Sequence, residues 1–319
     1  MTIVNKLTQL LNITYPIIQG GMGNISDPYL AAAISNAGGL GTIGVGDLPV
    51  NEAVYKVTKM LKQTSNPCCV NIPIAVHPNV SHIVQQMINL NVPVVSLSAG
   101  NPAPFISLLQ QHKIIVICVI ATVRQAKKAE KAGADIIVCE GYEAAGINAK
   151  NESTTMTLIP QVVQQANIPV VAAGGIADGK GLAAALALGA SGVQMGTRFI
   201  ATKEAPYHEI YKQAIIQATD ESTVIVGRRF NRIRRLIKSE YTSKLLEVEN
   251  KYDDSALFSE QTTETHHKIG ALDGDIKNGF INGGQIAGLI EDCPSVYDLL
   301  ETMTADAKQI LKQSLGKLE

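Results

Sequence analysis

An excess of charge of either sign is missing from this sequence. Lys and Arg number 27 against 28 Asp and Glu, a formal net charge of -1. That leaves no electrostatic footprint for nucleic acid over the whole molecule. No apolar run approaches the ~20 residues that a membrane-spanning helix needs. The opening MTIVNKLTQLLNITYP interrupts its apolar residues with Asn, Lys, Thr and Gln and has no small-residue cleavage site, so it does not read as a secretory signal. A cytoplasmic protein with a small-molecule substrate is expected, with no nucleic-acid or membrane partner. A homodimer is compatible with this reading. Metal-ligand spacing is missing too. Cys68, Cys69, Cys118, Cys139 and Cys293 form no CxxC pair and no cluster with histidine, so no metal is expected. The first four lie in apolar runs and read as small buried hydrophobes.

What the chain does have is apolar residues: 46 % of it is hydrophobic and only 17 % charged, enough to build a large core. The first 200 residues alternate regularly. Apolar, β-branched runs occur at YPIIQGG, GLGTIGVG, CCVNIPI, PVVSLSAG, IIVICVIA, DIIVCEG, IPVVAAGG and GVQMGTRFI. Between them lie segments of helical period such as DPYLAAAISNA, NEAVYKVTKMLKQ and TVRQAKKAEKAGA. Near-continuous hydrophobicity is the mark of parallel strands covered on both faces. Eight strand–helix units in this length predict an α/β fold of the TIM (β/α)₈ type over residues 1–203. A doubly wound sheet is the alternative. Residues 204–277 are charged and read as a helical cap inserted after strand eight, with Arg228, Arg229, Arg232, Arg234, Arg235 and Lys238 on one helix. Residues 278–319 return to the barrel as its last helix and a C-terminal helix.

In such a barrel the site forms from loops at the C-terminal strand ends, with a phosphate site after strands seven and eight. Strand seven ends in AAGGIADGKG and strand eight runs into QMGTRF. Gly174, Gly175 and Gly196 offer a backbone N–H cradle and Thr197 a hydroxyl. Glycine-lined nests bind phosphate without Lys or Arg. The plainer alternative is that these glycines only turn the chain. Gly39, Gly41 and Gly44 match GxGxxG, but here the match is itself the strand and no helix follows, so a dinucleotide fold is rejected. Gln19-Gly20-Gly21-Met22 after strand one, Asn71 in strand three and Ser98-Ala99-Gly100-Asn101 after strand four line the mouth with small and amide residues. A flat heterocycle with a phosphate tail, FMN, suits that lining better than a sugar phosphate.

In order and spacing, QGGM, AGGLGTIG, the Asn71 strand, SAGNP, EGYEAAG, TTMTLIPQ, AAGGIADGKG, QMGTRFIATKE and GGQIAGLI resemble one family. It is the FMN-dependent group of nitronate monooxygenases (2-nitropropane dioxygenases), enoyl-acyl carrier protein reductases and NAD(P)H:quinone reductases. The resemblance implies non-covalent FMN, with NAD(P)H as co-substrate. Gly21, Met22 and Asn71 would then meet the isoalloxazine. Gly174, Gly175, Gly196 and Thr197 would hold the phosphate, and Gln285 would approach from the returning segment.

One position departs. The family carries a histidine after the second loop glycine, in a pattern like EAGGH; here Glu143-Ala144-Ala145-Gly146 is followed by Ile147 and Asn148. Isoleucine neither gives nor takes a proton. Hydride transfer to a flavin and quinone reduction do not need that base, whereas protonation at carbon does. His77 and Asn148 are the substitute candidates. An exposed loop histidine is the plainer reading of His77, and an asparagine can orient a carbonyl but not act as an acid. His208, His266 and His267 read as structural. The expected activity passes electrons from NAD(P)H through FMN to an enoyl- or quinone-type acceptor. Nitronate oxidation with O₂ and a non-catalytic flavin-binding protein are the alternatives.

Overall fold

The computed structural model describes residues 5–316. Eight parallel strands form the centre: β1 (Ile17–Gln19), β2 (Gly41–Gly44), β3 (Cys68–Pro73), β4 (Val94–Ser98), β5 (Ile115–Ile120), β6 (Ile136–Glu140), β8 (Val170–Ala173) and β9 (Gly192–Met195). A two-residue strand, β7 (Gly146–Ile147), lies in the loop after β6. The order β1-β9-β8-β6-β5-β4-β3-β2 closes on itself, because Ile18 bridges Leu40 just before β2. At this seam the Gln19 side chain supplies an acceptor to the Thr42 amide at 2.9 Å. The fold is the expected (β/α)₈ barrel, and the doubly wound alternative falls with the closure.

The strands are hydrophobic at almost every position because both faces are buried. Ile17, Ile43, Val70, Val95, Cys118, Ile137 and Val193 face the surrounding helices. Ile18, Leu40, Cys69, Val94, Ile117, Val138 and Val171 fill the interior. Helix α1 (Lys6–Leu11) sends Leu7 and Leu11 into that same interior cluster and so plugs the N-terminal end. A capping box at Asn5 starts α1, and the Asn5 amide reaches the Ser191 carbonyl at 2.6 Å. The eighth barrel helix is the long Val296–Leu315, which packs on the helix Gly179–Ala187. Among the described residues no helix is long and apolar enough to cross a membrane. Cys68, Cys69, Cys118 and Cys139 are buried as expected, and burial raises all four thiol pKa values.

The insertion corrects the all-helical expectation. It contains helices, but also β10 (Thr223–Val226) and β11 (Arg234–Ile237), an antiparallel pair. The RRFNRIRRLIK stretch is the turn and second strand of this hairpin, not a helix. Its β-branched runs TVIV and RRLI found partners that a local reading cannot see. β11 also pairs with β7, Arg234 opposite Ile147 and Arg235 opposite Gly146. The insertion is thus stitched to the loop after β6. Its own small core comprises Val226, Leu236, Tyr241, Leu245, Val248, Phe258 and Phe280.

Candidate functional site

Toward the C-terminal end the barrel interior changes character. Above the aliphatic layer, the inward positions are Thr42, Asn71, Ser96, Ser98, Glu140 and Gln194. The register places Glu140 beside Ala173, and Ala173 beside Gln194, so the small alanine leaves the two long polar side chains facing across it. Neither Glu140 nor Gln194 has a hydrogen-bond partner among the described residues. Burial pushes the Glu140 carboxyl up to about 7. Asn71 is anchored by Ser96 Oγ and Ser98 Oγ, each 3.2 Å from its Nδ2. Such a layer costs stability unless something completes it, since buried polar groups ordinarily have partners.

Over this layer the loops approach closely. A Cβ on Gly21 would lie 2.7 Å from the Asn71 Cβ, and one on Gly44 would lie 3.0 Å from the Met22 amide. Ser26 Oγ accepts from the Met22 and Gly44 amides at 3.0 and 2.9 Å and fixes the loop after β1. Tyr207 donates to the Met22 sulfur at 3.2 Å. Gly21, Met22 and Asn71 are therefore brought together as expected.

The four cradle residues separate into two kinds. Gly174 and Gly175 take φ of +93° and +72°, the left-handed region. At Gly174 a Cβ would lie 2.8 Å from the Gly141 carbonyl, so this glycine packs against the loop after β6. At Gly196 a Cβ would meet no heavy atom within 4 Å. The Gly175 and Gly196 amides have no partner among the described residues. Thr197 Oγ1 accepts from the Gly284 amide at 3.0 Å, leaving its hydrogen to donate. The next amide, Gln285, donates to the Glu143 carbonyl at 2.9 Å, which holds the exposed Gln285 between the two loops.

The loop after β6 holds no acid or base. The Glu143 carboxylate accepts from the Thr155 amide at 3.0 and 2.9 Å and from its hydroxyl at 3.1 Å, capping the helix Thr155–Val163. Asn148 donates to the Ala144 and Gly146 carbonyls at 2.9 and 3.2 Å and braces the loop itself. Ile147 is 48 % exposed, a large apolar side chain left at the mouth. His77 is not the exposed loop histidine expected: it is 4 % exposed. Its Nδ1 accepts from the Asn79 amide at 3.0 Å, and burial lowers its pKa. That is a neutral, turn-holding ring, away from the polar layer. Glu140 and Gln194 escaped the sequence reading, though counting inward positions by twos from Val138 and Gly192 would have found both.

The arrangement fits FMN on this structure's own features. A planar ring with donors and acceptors on one edge would complete Glu140, Gln194 and Asn71, and a phosphate would meet the open face of Gly196 and the free amides. Among the described residues no group of His, Cys, Asp or Glu could hold a metal.

With that geometry in place, comparison with known proteins gives a consistent result. The family profile for nitronate monooxygenase matches residues 5–306. A probable nitronate monooxygenase of Staphylococcus saprophyticus is 32 % identical, with 98 % of this chain and 100 % of that protein covered. An octahydroindene-carboxyl-CoA dehydrogenase of Mycobacterium tuberculosis is 31 % identical, with both chains covered in full, 100 % each. The solved structure of FabK from Thermotoga maritima superposes with a TM-score of 0.95 at 37 % identity, covering 99 % of this chain and 100 % of that one.

Proposed function

The chain belongs to the nitronate monooxygenase family, a flavin oxidoreductase family, and we propose that it carries electrons from NAD(P)H through FMN to an enoyl- or quinone-type acceptor. The observation that supports this most is the unpartnered polar layer of Glu140 and Gln194 beneath the open glycine cradle at Gly196. FMN, when bound, supplies acceptance of a hydride and its return to an acceptor. The protein's part is placement. The Gly175 and Gly196 amides and the Thr197 hydroxyl would hold the phosphate. Asn71, Glu140 and Gln194 would meet the polar edge of the ring, and Gly21 and Gly44 keep the floor flat. Ile147 holds no proton at the substrate side, so a proton needed at carbon has to come from solvent.

That last point favours a second reading, oxidation of a nitronate, because an anionic nitronate has already lost its acidic proton. Anaerobic titration separates the two. NADH or NADPH should bleach the flavin on the first reading; bleaching by an alkyl nitronate but by neither nucleotide would replace it with the second. A protein that stays colourless after reconstitution with FMN defeats both.

Two variants sharpen the test. Gly196→Asp should weaken FMN retention on the order of a hundredfold or more, because a carboxylate beside the phosphate repels it in a partly dry site. The barrel should still fold, since a side chain there meets nothing in the protein. Ile147→His should restore an acid at the loop. Activity on a neutral nitroalkane or an enoyl thioester should rise about a hundredfold, within the range that general acid–base catalysis contributes, while quinone reduction stays nearly unchanged.

A further inference from the structure

Ile147 has two polar neighbours, and both have capacity to spare. Arg234 stands opposite it in the β7–β11 ladder, so the two side chains leave the sheet on the same face. The Arg234 guanidinium lies 5.6 Å over the Phe280 ring. Among the described residues nothing accepts a hydrogen bond from it and it forms no ion pair. The adjacent Arg235 shows what a structural arginine looks like here. Its guanidinium donates to the Tyr142 carbonyl at 3.2 and 3.1 Å and to Thr223 Oγ1 at 3.1 Å. On the other side, the Asn282 side chain lies 3.7 Å from where a Cβ on Gly146 would be. Its Oδ1 is buried without a partner.

A chain of contacts fixes both neighbours. Asn282 Nδ2 meets Nε2 of the buried His267 at 2.9 Å. The His267 ring stacks on Phe280, 5.3 Å between centroids, and its Nδ1 lies 3.5 Å from Glu264 Oε2. That same oxygen accepts from the Asn24 amide at 3.2 Å, two residues past Met22. The Glu264 carboxylate, the nearest negative charge to Arg234, is thus occupied by His267 and the loop after β1. The cation is left with five donors and no acceptor, between the loops after β1 and β6. A half-buried guanidinium without acceptors is costly to keep.

We propose that Arg234 anchors a planar anionic head group, two oxygens on one centre as in a nitronate or a carboxylate, on the substrate side of the site. The guanidinium fork matches such a group with two parallel N–H bonds. Asn282, held by His267, borders the same space and sets which rotations of the head group fit. The inference rests on the barrel mouth being the flavin and substrate site. It adds a charge preference that the loop after β6, with Ile147 in place of an acid or base, does not supply.

Calorimetric titration of the purified full chain with sodium butyrate and with butyramide, its neutral isostere, tests the proposal. Butyrate should bind roughly ten- to hundredfold more tightly, the value of a charge-assisted pair. Arg234→Gln should erase that preference and Arg234→Lys should restore part of it. Arg229→Gln, at a surface arginine paired with Asp253 at 2.7 Å, should leave it intact. Equal binding of the two probes to the unmodified protein, or an undiminished preference in Arg234→Gln, overturns the proposal. Should Arg234→Gln fail to fold, the unmodified protein and Arg234→Lys decide it. Propane-2-nitronate, read by anaerobic flavin bleaching, separates the two sources: saturation at lower concentration than butyrate assigns the site to a nitronate, and the reverse to a carboxylate. Flavin content of the same samples is an independent readout. Its absence defeats the proposed function while the butyrate preference stands or falls by itself.

Discussion

The barrel and the insertion that roofs it are held by different forces. Inside the barrel, aliphatic side chains from the strands and from α1 meet with almost no exposure. The insertion joins the barrel mainly through polar contacts: the β7–β11 ladder, Arg235 on the Tyr142 carbonyl, Tyr207 on Met22, and Glu264 on Asn24. Apolar burial is indifferent to pH, whereas a carboxylate fastening is not. A scaffold that must stay fixed and a roof that must meet its substrate are therefore sensitive to different perturbations.

The largest effect should come from the barrel. Ile117→Ala removes a side chain that is 1 % exposed in the interior cluster, and should cost about 2–5 kcal/mol in urea unfolding. Loss confined to the insertion, with the barrel transition unmoved, would show that the interior layer does not carry the fold.

Acid should act on the roof. Burial by itself would raise the Glu264 pKa, but the His267 hydrogen bond and charge, the Arg234 charge and the Asn24 amide outweigh it and hold the carboxyl at about 2. A depressed folded pKa means stability present above the ordinary value of 4.5 and lost as pH falls from there through about 2. The amount is on the order of 3 kcal/mol. Glu264→Gln should flatten this dependence across that acid range. If the wild-type protein and Glu264→Gln lose the same stability on acidification, the Glu264 contact is not a fastening.

The smallest effect has the opposite sign, and it lies inside the barrel. Glu140 is raised to about 7 by burial. The penalty on its charged form grows as pH rises from the ordinary 4.5 through about 7, and disappears as pH falls and the proton is retained. Glu140→Gln should therefore stabilise the flavin-free protein in mildly alkaline buffer by on the order of 2 kcal/mol, less than full desolvation because the side chain keeps some solvent contact. It should also weaken FMN binding. A Gln substitution that leaves both stability and FMN affinity at wild-type values would remove Glu140 from the site.

Eight strands, their order along the chain and the loop glycines were legible because each is a local pattern: an apolar run, a helical period, a Gly pair. So was the gap at Ile147, which needs only one position to be compared with a motif. The hairpin was not. RRFNRIRRLIK has charges at a spacing a helix would tolerate, and only the edge offered by Gly146–Ile147 makes a strand of it. The burial of His77 was hidden for the same reason, since it depends on what packs above the loop.

By itself the sequence determined that this chain would close a parallel barrel and place glycine and amide residues at the strand ends, because periodicity and backbone freedom are properties of neighbours along the chain. Which polar groups lack partners was decided only by the tertiary structure. Arg234 and Arg235 are adjacent and chemically identical, yet one is fully bonded and the other bonds nothing among the described residues. A strand sends successive side chains to opposite faces, and the faces meet different surroundings: Tyr142 and Thr223 on one, Phe280 and the barrel mouth on the other.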